Sequence, residues 1–139
     1  MTNNSQLYSF NNYFNKIINK YEYINSIWIT DYEGALLYKE LNRAKINEND
    51  LNPKIIEKIK GSFSFLLNSA YDQLYKTEKE KVNCIIAIYD NQTLIQAKVN
   101  NNNNLVHILS DTETCNISVI KTIITEIGDN LSSLNIEIN

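Results

Sequence analysis

The chain has 139 residues, the length of a single domain, and 43 % of them are hydrophobic, so it can bury a core and is not wholly disordered. Thirteen basic and sixteen acidic residues leave a net charge of −3, which gives no excess positive charge to attract a phosphate backbone and argues against nucleic-acid binding. Three glycines and one proline are too few for an all-β protein built on many tight turns.

The first third of the chain predicts a helix followed by a β-hairpin. Residues 6–22 place their apolar side chains on one helical face, which is typical of an amphipathic helix. Residues 27–29 form a short β-rich run, and residues 31–34 are typical of a turn with glycine where a positive φ is needed. Residues 35–39 then predict the returning strand.

A longer helix is predicted over residues 52–76, beginning at an Asn-Pro pair that suits a first helical turn. Its apolar face contains Ile55, Ile56, Ile59, Phe63, Leu66, Leu67, Ala70 and Leu74. Phe65 falls on the opposite face, among the small residues Gly61, Ser62 and Ser69. A large aromatic side chain bordered by small residues indicates a helix–helix contact, because small neighbours permit close approach. The alternative is a single exposed phenylalanine, which is common on protein surfaces.

The second half of the chain predicts three more strands. Residues 82–89, VNCIIAIY, are almost continuously apolar, which favours a strand covered on both faces. Residues 93–99 predict the returning strand, and the asparagine run at 100–104 predicts a surface loop. Residues 105–109 predict the last strand.

A final helix follows Asp111 or Thr112, either of which can cap its first turn. Apolar residues spaced three and four apart define its inner face: Ile117, Ile120, Ile124, Ile127, Leu131 and Leu134. The resulting order, α-β-β-α-β-β-β-α, predicts an α+β domain with an antiparallel sheet, because successive strands are joined by short turns. We expect one domain over residues 1–139, with the first few residues loosely held.

The sequence contains no recognisable catalytic or metal-binding constellation. His107, the only histidine, lies in the middle of a predicted strand and is interpreted as a histidine fitted into the sheet. Cys84 and Cys115 supply neither metal-ligand spacing nor a disulfide scaffold. A turn explains the nearby carboxylates of Asp31 and Glu33 better than acid–base catalysis does, and there is no glycine-rich phosphate loop. We therefore expect a protein without enzymatic activity, cofactor or metal.

Three segments of the chain resemble the roadblock family of roadblock/longin-like domains. They are FNKIINKYEYINSIWITDYEGALLY, GSFSFLLNSAYDQLYKTEKEKVNCIIAIYDNQTLIQAKVN and LVHILSDTETCNISVIKTIITEIGDNLSSL. The resemblance spans about residues 10–135 and is strongest to the branch of MAP-kinase scaffold subunits, the third LAMTOR subunit of Ragulator complexes. It rests on hydrophobic pattern, element order and the turn between Asp31 and Gly34.

The resemblance implies a five-stranded antiparallel sheet, with the central helix on one face and the two terminal helices on the other. It also implies that the strand at 82–89 is an exposed edge with which another chain pairs, strand to strand and central helix to central helix. Without a partner, such an apolar edge promotes aggregation. The implied partner-binding residues are Gly61, Ser62, Phe65, Ser69, Val82, Cys84, Ile86 and Ile88.

The same resemblance implies a non-catalytic scaffold that forms a heterodimer with a second roadblock subunit in a Ragulator-like complex. Such a complex includes a lipid-anchored subunit, holds Rag-type GTPases for mTOR-complex signalling, and can bind a MAP-kinase kinase at late endosomes or lysosomes. The sequence shows no signal peptide, membrane-spanning segment or lipidation site. We therefore expect a cytoplasmic protein that partners recruit to the membrane surface.

Two alternative functions fit the same element order. A dynein-type roadblock light chain or a GTPase-regulating roadblock homodimer would have the same fold, and finding only homodimers would favour it. A small-molecule sensor of the PAS or profilin type shares the mixed strand–helix layout, and a buried pocket or a retained ligand would favour that function.

Overall fold

The computed structural model describes residues 4–31, 33–60, 84–99 and 104–133. In chain order the elements are α1 (Asn4–Lys20), β1 (Ile24–Asp31), β2 (Leu36–Leu41), a 3-10 turn (Glu48–Asp50), α2 (Pro53–Lys60), β3 (Ile85–Ile88), β4 (Gln92–Val99), β5 (Asn104–Asp111) and α3 (Ile117–Ser133). This order confirms the predicted succession of helices and strands. The predicted continuation of α2 to residue 76 lies outside the described residues.

Two antiparallel hairpin units meet in the middle of the sheet. The strand order is β2-β1-β5-β4-β3, so β1 and β5 lie near the centre and β2 and β3 form the two edges. Between β1 and β5 the register places Trp28 opposite His107 and Ile29 opposite Val106. All neighbouring strands are antiparallel, which confirms the five-stranded antiparallel sheet.

Helices cover both faces of this sheet and create two cores. The two-helix core lies under α1 and α3 and contains Phe14, Ile17, Ile18, Ile24, Ile27, Ile29, Ile95, Ala97, Val99, Val106, Ile108, Ile120, Ile123, Ile124, Ile127 and Leu131. The one-helix core lies under α2 and contains Trp28, Leu41, Leu51, Ile55, Ile59, Leu94 and Leu109. Full burial of one isoleucine, leucine or phenylalanine side chain stabilises the fold by about 1.5–3 kcal/mol, before the loss of conformational entropy is subtracted. The predicted distribution of the helices, one on one face and two on the other, is confirmed.

The hairpin between β1 and β2 closes through Asp31. Its Oδ1 accepts hydrogen bonds from the backbone N–H groups of Glu33 and Ala35, both at 2.9 Å. Gly34 has a φ of 89°, which a residue with a Cβ rarely adopts. The carboxylate of Asp31 therefore holds the turn, as expected from the Asp-x-x-Gly pattern.

Helix α3 begins later than predicted. Its cap is Asn116, whose Oδ1 accepts a hydrogen bond from the N–H of Val119 at 3.1 Å. Asp111 is instead the last residue of β5, because its backbone N–H donates to the carbonyl of Tyr23 at 2.9 Å. Its side chain forms an ion pair with Lys45 at 2.6 Å, which attaches the loop after β2 to the end of β5.

Candidate partner-binding edge

Strand β3 exposes apolar side chains at one edge of the sheet. The side chain of Ile88 is 71 % exposed and that of Ile86 is 36 % exposed. The prediction from the apolar run alone, a strand covered on both faces, is therefore wrong. Helix α3 packs on β4, where Gly128 lies directly against Val99, and leaves most of the Ile88 side chain uncovered. The edge position implied by the family resemblance is confirmed.

The backbone N–H and C=O groups of Ile86 and Ile88 point away from β4, toward the open side of the edge strand. At the hairpin end, the N–H of Tyr89 donates to the carbonyl of Gln92 at 2.8 Å. Hydrogen-bonded pairs alternate with non-hydrogen-bonded pairs along an antiparallel ladder, so Ala87 also exchanges hydrogen bonds with β4. Ile86 and Ile88 fall on the alternate positions, and their N–H and C=O groups face outward. Both residues thus present open hydrogen-bonding groups and apolar side chains.

These exposed side chains lie on the face of the sheet that α1 and α3 cover. Ile86 is opposite Ile95, a residue of the two-helix core. Cys84, just before β3, is half-buried and packs against the same core. Burial raises the pKa of its thiol, with a smaller opposing effect of Lys121. The thiol therefore behaves as a small apolar group at neutral pH and is a poor nucleophile.

Only part of the predicted partner-binding surface can be located. Cys84, Ile86 and Ile88 lie together at the β3 edge. The remaining predicted residues, Gly61, Ser62, Phe65, Ser69 and Val82, lie outside the described residues. A contact through Phe65 stays a prediction from helical spacing.

His107 belongs to a buried polar network across the sheet that sequence reasoning did not find. Its Nδ1 lies 2.9 Å from the Nε2 of Gln96, and its Nε2 lies 2.8 Å from the hydroxyl of Thr30. The same amide nitrogen of Gln96 also donates to the carbonyl of Lys58 in α2 at 3.3 Å. Since an amide nitrogen only donates hydrogen bonds, the Nδ1 of His107 accepts the one from Gln96. The histidine then carries its proton on Nε2 and donates to Thr30. The network joins three strands and α2.

This environment makes His107 a structural residue. The side chain is fully buried, and burial lowers its pKa to about 3. It is therefore neutral at any physiological pH, as the interpretation of a histidine fitted into the sheet requires. Alternation along β5 and β4 places His107 and Gln96 on one face, but their pairing depends on strand register, which no local pattern reveals.

The described residues contain neither a metal-binding cluster nor a membrane-spanning helix. In the part of the chain that the structure describes, no three His, Cys, Asp or Glu side chains are grouped closely enough to hold a metal ion. Among the described helices, none combines the length and the apolar character that crossing a bilayer requires.

Comparison with solved structures identifies the fold. A Roadblock/LC7 domain from Streptomyces avermitilis superposes with a TM-score of 0.65 at 9 % identity, covering 86 % of this chain and 92 % of that one. MglB of Myxococcus xanthus superposes with a TM-score of 0.60 at 13 % identity, covering 85 % of this chain and 88 % of that one. The gliding protein MglB of Thermus thermophilus gives a TM-score of 0.54 at 12 % identity, with coverages of 86 % and 78 %.

Sequence comparison identifies the family. No curated protein matches the chain. The family model described as "Mitogen-activated protein kinase kinase 1 interacting" matches residues 9–138, nearly the whole length. With its roadblock fold and this match, the chain belongs to the family of mitogen-activated protein kinase kinase 1 interacting proteins.

Proposed function

We propose that this chain is a non-catalytic scaffold subunit that pairs through β3 with a second roadblock domain. The observation that carries this proposal is the combination, at Ile86 and Ile88, of outward-facing backbone groups with exposed side chains. An antiparallel strand from a partner would supply the missing hydrogen bonds and bury part of both isoleucines. Strand addition of this kind is a general way of protecting a sheet edge.

The wider assembly proposed for this chain is a Ragulator-like complex. The description of its family supports a MAP-kinase kinase as one binding partner. The resemblance of its sequence to the third LAMTOR subunit supports a heterodimer within a complex that contains a lipid-anchored subunit and binds Rag-type GTPases. In this proposal the chain acts at the cytoplasmic surface of late endosomes or lysosomes and reaches it through its partners.

The test is the mass of the assembly with and without a partner. Light scattering should show that the chain alone is polydisperse, because its open apolar edge promotes aggregation, and that it becomes a monodisperse heterodimer with a roadblock partner from the same proteome. Ile88→Asp should abolish the heterodimer, because a carboxylate would be buried at the strand pair. Thr122→Asp is the matched control, since Thr122 is exposed and belongs to α3 rather than to β3.

Two results would change the proposal. A soluble monomer at micromolar concentration that ignores every roadblock partner would contradict pairing through β3. A homodimer of the unmodified chain that Ile88→Asp dissociates would keep the interface but favour the dynein-type or GTPase-regulating alternative.

A further inference from the structure

Helix α3 presents one flank to α1 and the other flank to the edge of the sheet that ends in β3. On the first flank, the Nδ2 of Asn130 donates a hydrogen bond to the hydroxyl of Tyr13 in α1 at 2.8 Å. On the second flank, Gly128 lies directly against Val99 of β4. Since β3 is the next strand beyond β4, this second flank is the one that faces the exposed isoleucines of the edge.

Lys121 lies on the flank of α3 that faces β3. It precedes Gly128 by about two helical turns, which places both residues on the same side of the helix, whereas Asn130 falls on the opposite side. Burial raises the pKa of the Cys84 thiol, and the positive charge of Lys121 opposes this effect. A charge acts on a thiol in this way at short range. Helical position and electrostatic effect therefore agree that a cation lies beside the start of β3.

The space beside this lysine is open to solvent. Lys121 is exposed, and so are the side chains of Ile86 and Ile88. Within the described ranges, no carboxylate forms an ion pair with Lys121. Glu126, the first acidic residue of α3, lies toward the flank that faces α1. A positive charge thus borders the two exposed isoleucines on the face of the sheet that α1 and α3 cover.

A partner strand added to β3 would bring its own side chains to this lysine. In an antiparallel pair, the residues opposite Cys84, Ile86 and Ile88 project onto the same face as these three side chains, with Cβ atoms about 4.5–5.5 Å apart across the strands. The residues opposite the two isoleucines have to be apolar to bury them. The residue opposite Cys84 would lie next to the ammonium group of Lys121, where a carboxylate is favoured.

We propose that β3 selects a partner strand in which two apolar residues at alternate positions are followed, two residues later, by an acidic residue that pairs with Lys121. This inference rests on the proposed pairing through β3 and adds the chemistry of the strand that β3 accepts. The acidic residue comes last because the partner strand runs antiparallel to β3. The ion pair also fixes the register, since a slip by two residues would place the carboxylate against Ile86 and leave Lys121 without it.

The probe is a disulfide-closed β-hairpin peptide whose outer strand has the sequence Val-Thr-Val-Thr-Glu. The full chain is attached at low density to a sensor surface, so that its copies do not associate, and the hairpin is titrated in solution by surface plasmon resonance. Replacing the glutamate by glutamine should raise the Kd about two- to fivefold, the range expected for one exposed ion pair. A hairpin with the reversed strand Glu-Thr-Val-Thr-Val has the same composition and charge. It should bind as weakly as the glutamine hairpin, because its carboxylate would lie beyond Ile88, away from Lys121.

Reversing the charge of one lysine locates the contact. Lys121→Glu should reverse the preference, so that a hairpin with lysine in place of glutamate binds more tightly than the glutamate hairpin. Lys20→Glu is the matched control, because its charge change is the same but its ammonium group lies on α1, 5.3 Å from the centre of the Tyr21 ring. It should keep the preference of the wild type for glutamate. Raising the salt concentration should reduce that preference, since the contact is between opposite charges.

Failure of this inference and failure of the proposed pairing give different results. Methylating the two valine amides that face β3 removes their hydrogen-bond donors and should abolish binding. Unchanged binding of the methylated hairpin, or no binding of any hairpin at millimolar concentration, would contradict pairing through β3. If methylation abolishes binding but the glutamate and glutamine hairpins bind equally, pairing stands and the role of Lys121 is overturned. The same preference in Lys121→Glu and Lys20→Glu would also overturn it. Because Lys121 is exposed, Lys121→Glu should melt like the wild type.

Discussion

The two edge strands of the sheet, β2 and β3, differ in how far their side chains are exposed to solvent. In β2, residues 36–40 are half-buried and Leu41 is buried. The hydroxyl of Tyr38 lies 2.5 Å from the side chain of Asn11 and 3.0 Å from that of Glu40, and its ring stacks on Phe14. In β3, four uncharged apolar residues form the strand, and the alternate ones are exposed.

This difference favours association on one side only. Charged residues and side-chain cover protect β2 against pairing with another strand, which is how native proteins limit edge-to-edge association. A chain with two open edges could add partners indefinitely, whereas a chain with one open edge forms a closed pair. The contrast between β2 and β3 is therefore what we expect of a subunit that dimerises.

The largest expected effect distinguishes two kinds of residue in β3: those whose backbone N–H bonds to β4 and those whose N–H faces outward. Ala87→Pro removes an N–H that bonds to β4 and leaves a carbonyl of β4 without its donor, which should destabilise the folded chain by about 1–3 kcal/mol. Ile88→Pro removes an outward N–H and should change the free energy of unfolding far less, while it prevents pairing. Chemical denaturation and light scattering of both variants measure the two effects. Equal destabilisation would show that the alternation of hydrogen bonds along β3 is not as inferred.

The second-largest effect concerns the helix predicted over residues 52–76, which is expected to contact the partner together with β3. If residues 52–76 form one helix, Phe65→Asp should alter monomer stability within about 0.5 kcal/mol but weaken pairing by about 2 kcal/mol or more. Phe63→Asp is the control, since it lies on the predicted inner face and should damage the fold. Thermal melts and partner titrations distinguish the two. An unchanged affinity of Phe65→Asp would remove this helix from the interface.

A change of pH should affect the middle of the sheet rather than either edge. Because the folded-state pKa of His107 is about 3, below its ordinary value of 6.5, the unfolded chain takes up a proton first as the pH falls. Stability from this group is therefore present above about pH 6.5 and decreases below it, by about 2 kcal/mol at about pH 5. Chemical denaturation of the wild type and of His107→Gln, each at about pH 6.5 and at about pH 5, tests this loss of stability. The variant should lose less stability, and equal losses would contradict the lowered pKa.

The smallest effect concerns the protection of β2. Lys39→Met removes one cation–π contact with Trp28 and should reduce the free energy of unfolding by about 0.5–1 kcal/mol. It should leave the oligomeric state unchanged, because the side chain still covers the ring. Urea denaturation with Lys20→Met as reference measures the loss. If Lys39→Met forms new higher oligomers, the charge of Lys39, rather than the side chains that cover β2, keeps this strand from pairing.

Several features of the fold were predictable because they depend on nearby residues. The apolar spacing of α3 and the Asp-x-x-Gly turn are local patterns, and both are confirmed: Ile120, Ile124, Ile127 and Leu131 are buried, while Leu134 lies outside the described residues. Asn52 and Pro53 begin α2 as expected, with the Asn52 side chain accepting a hydrogen bond from the N–H of Lys54 at 3.0 Å. Strand β1 is longer than predicted, because the polar residues at its ends are buried within the sheet.

The sequence by itself determined the kind and order of the elements, since helical and strand periodicities are written in neighbouring residues. Only the tertiary structure decided which strand is central and which is an edge. The apolar run at 85–88 fits either position, and its place at the edge, beyond the cover of α3, leaves Ile88 exposed. The partners of His107 were hidden for the same reason: Thr30 is 77 residues away in the chain, and long-range register brings the two together.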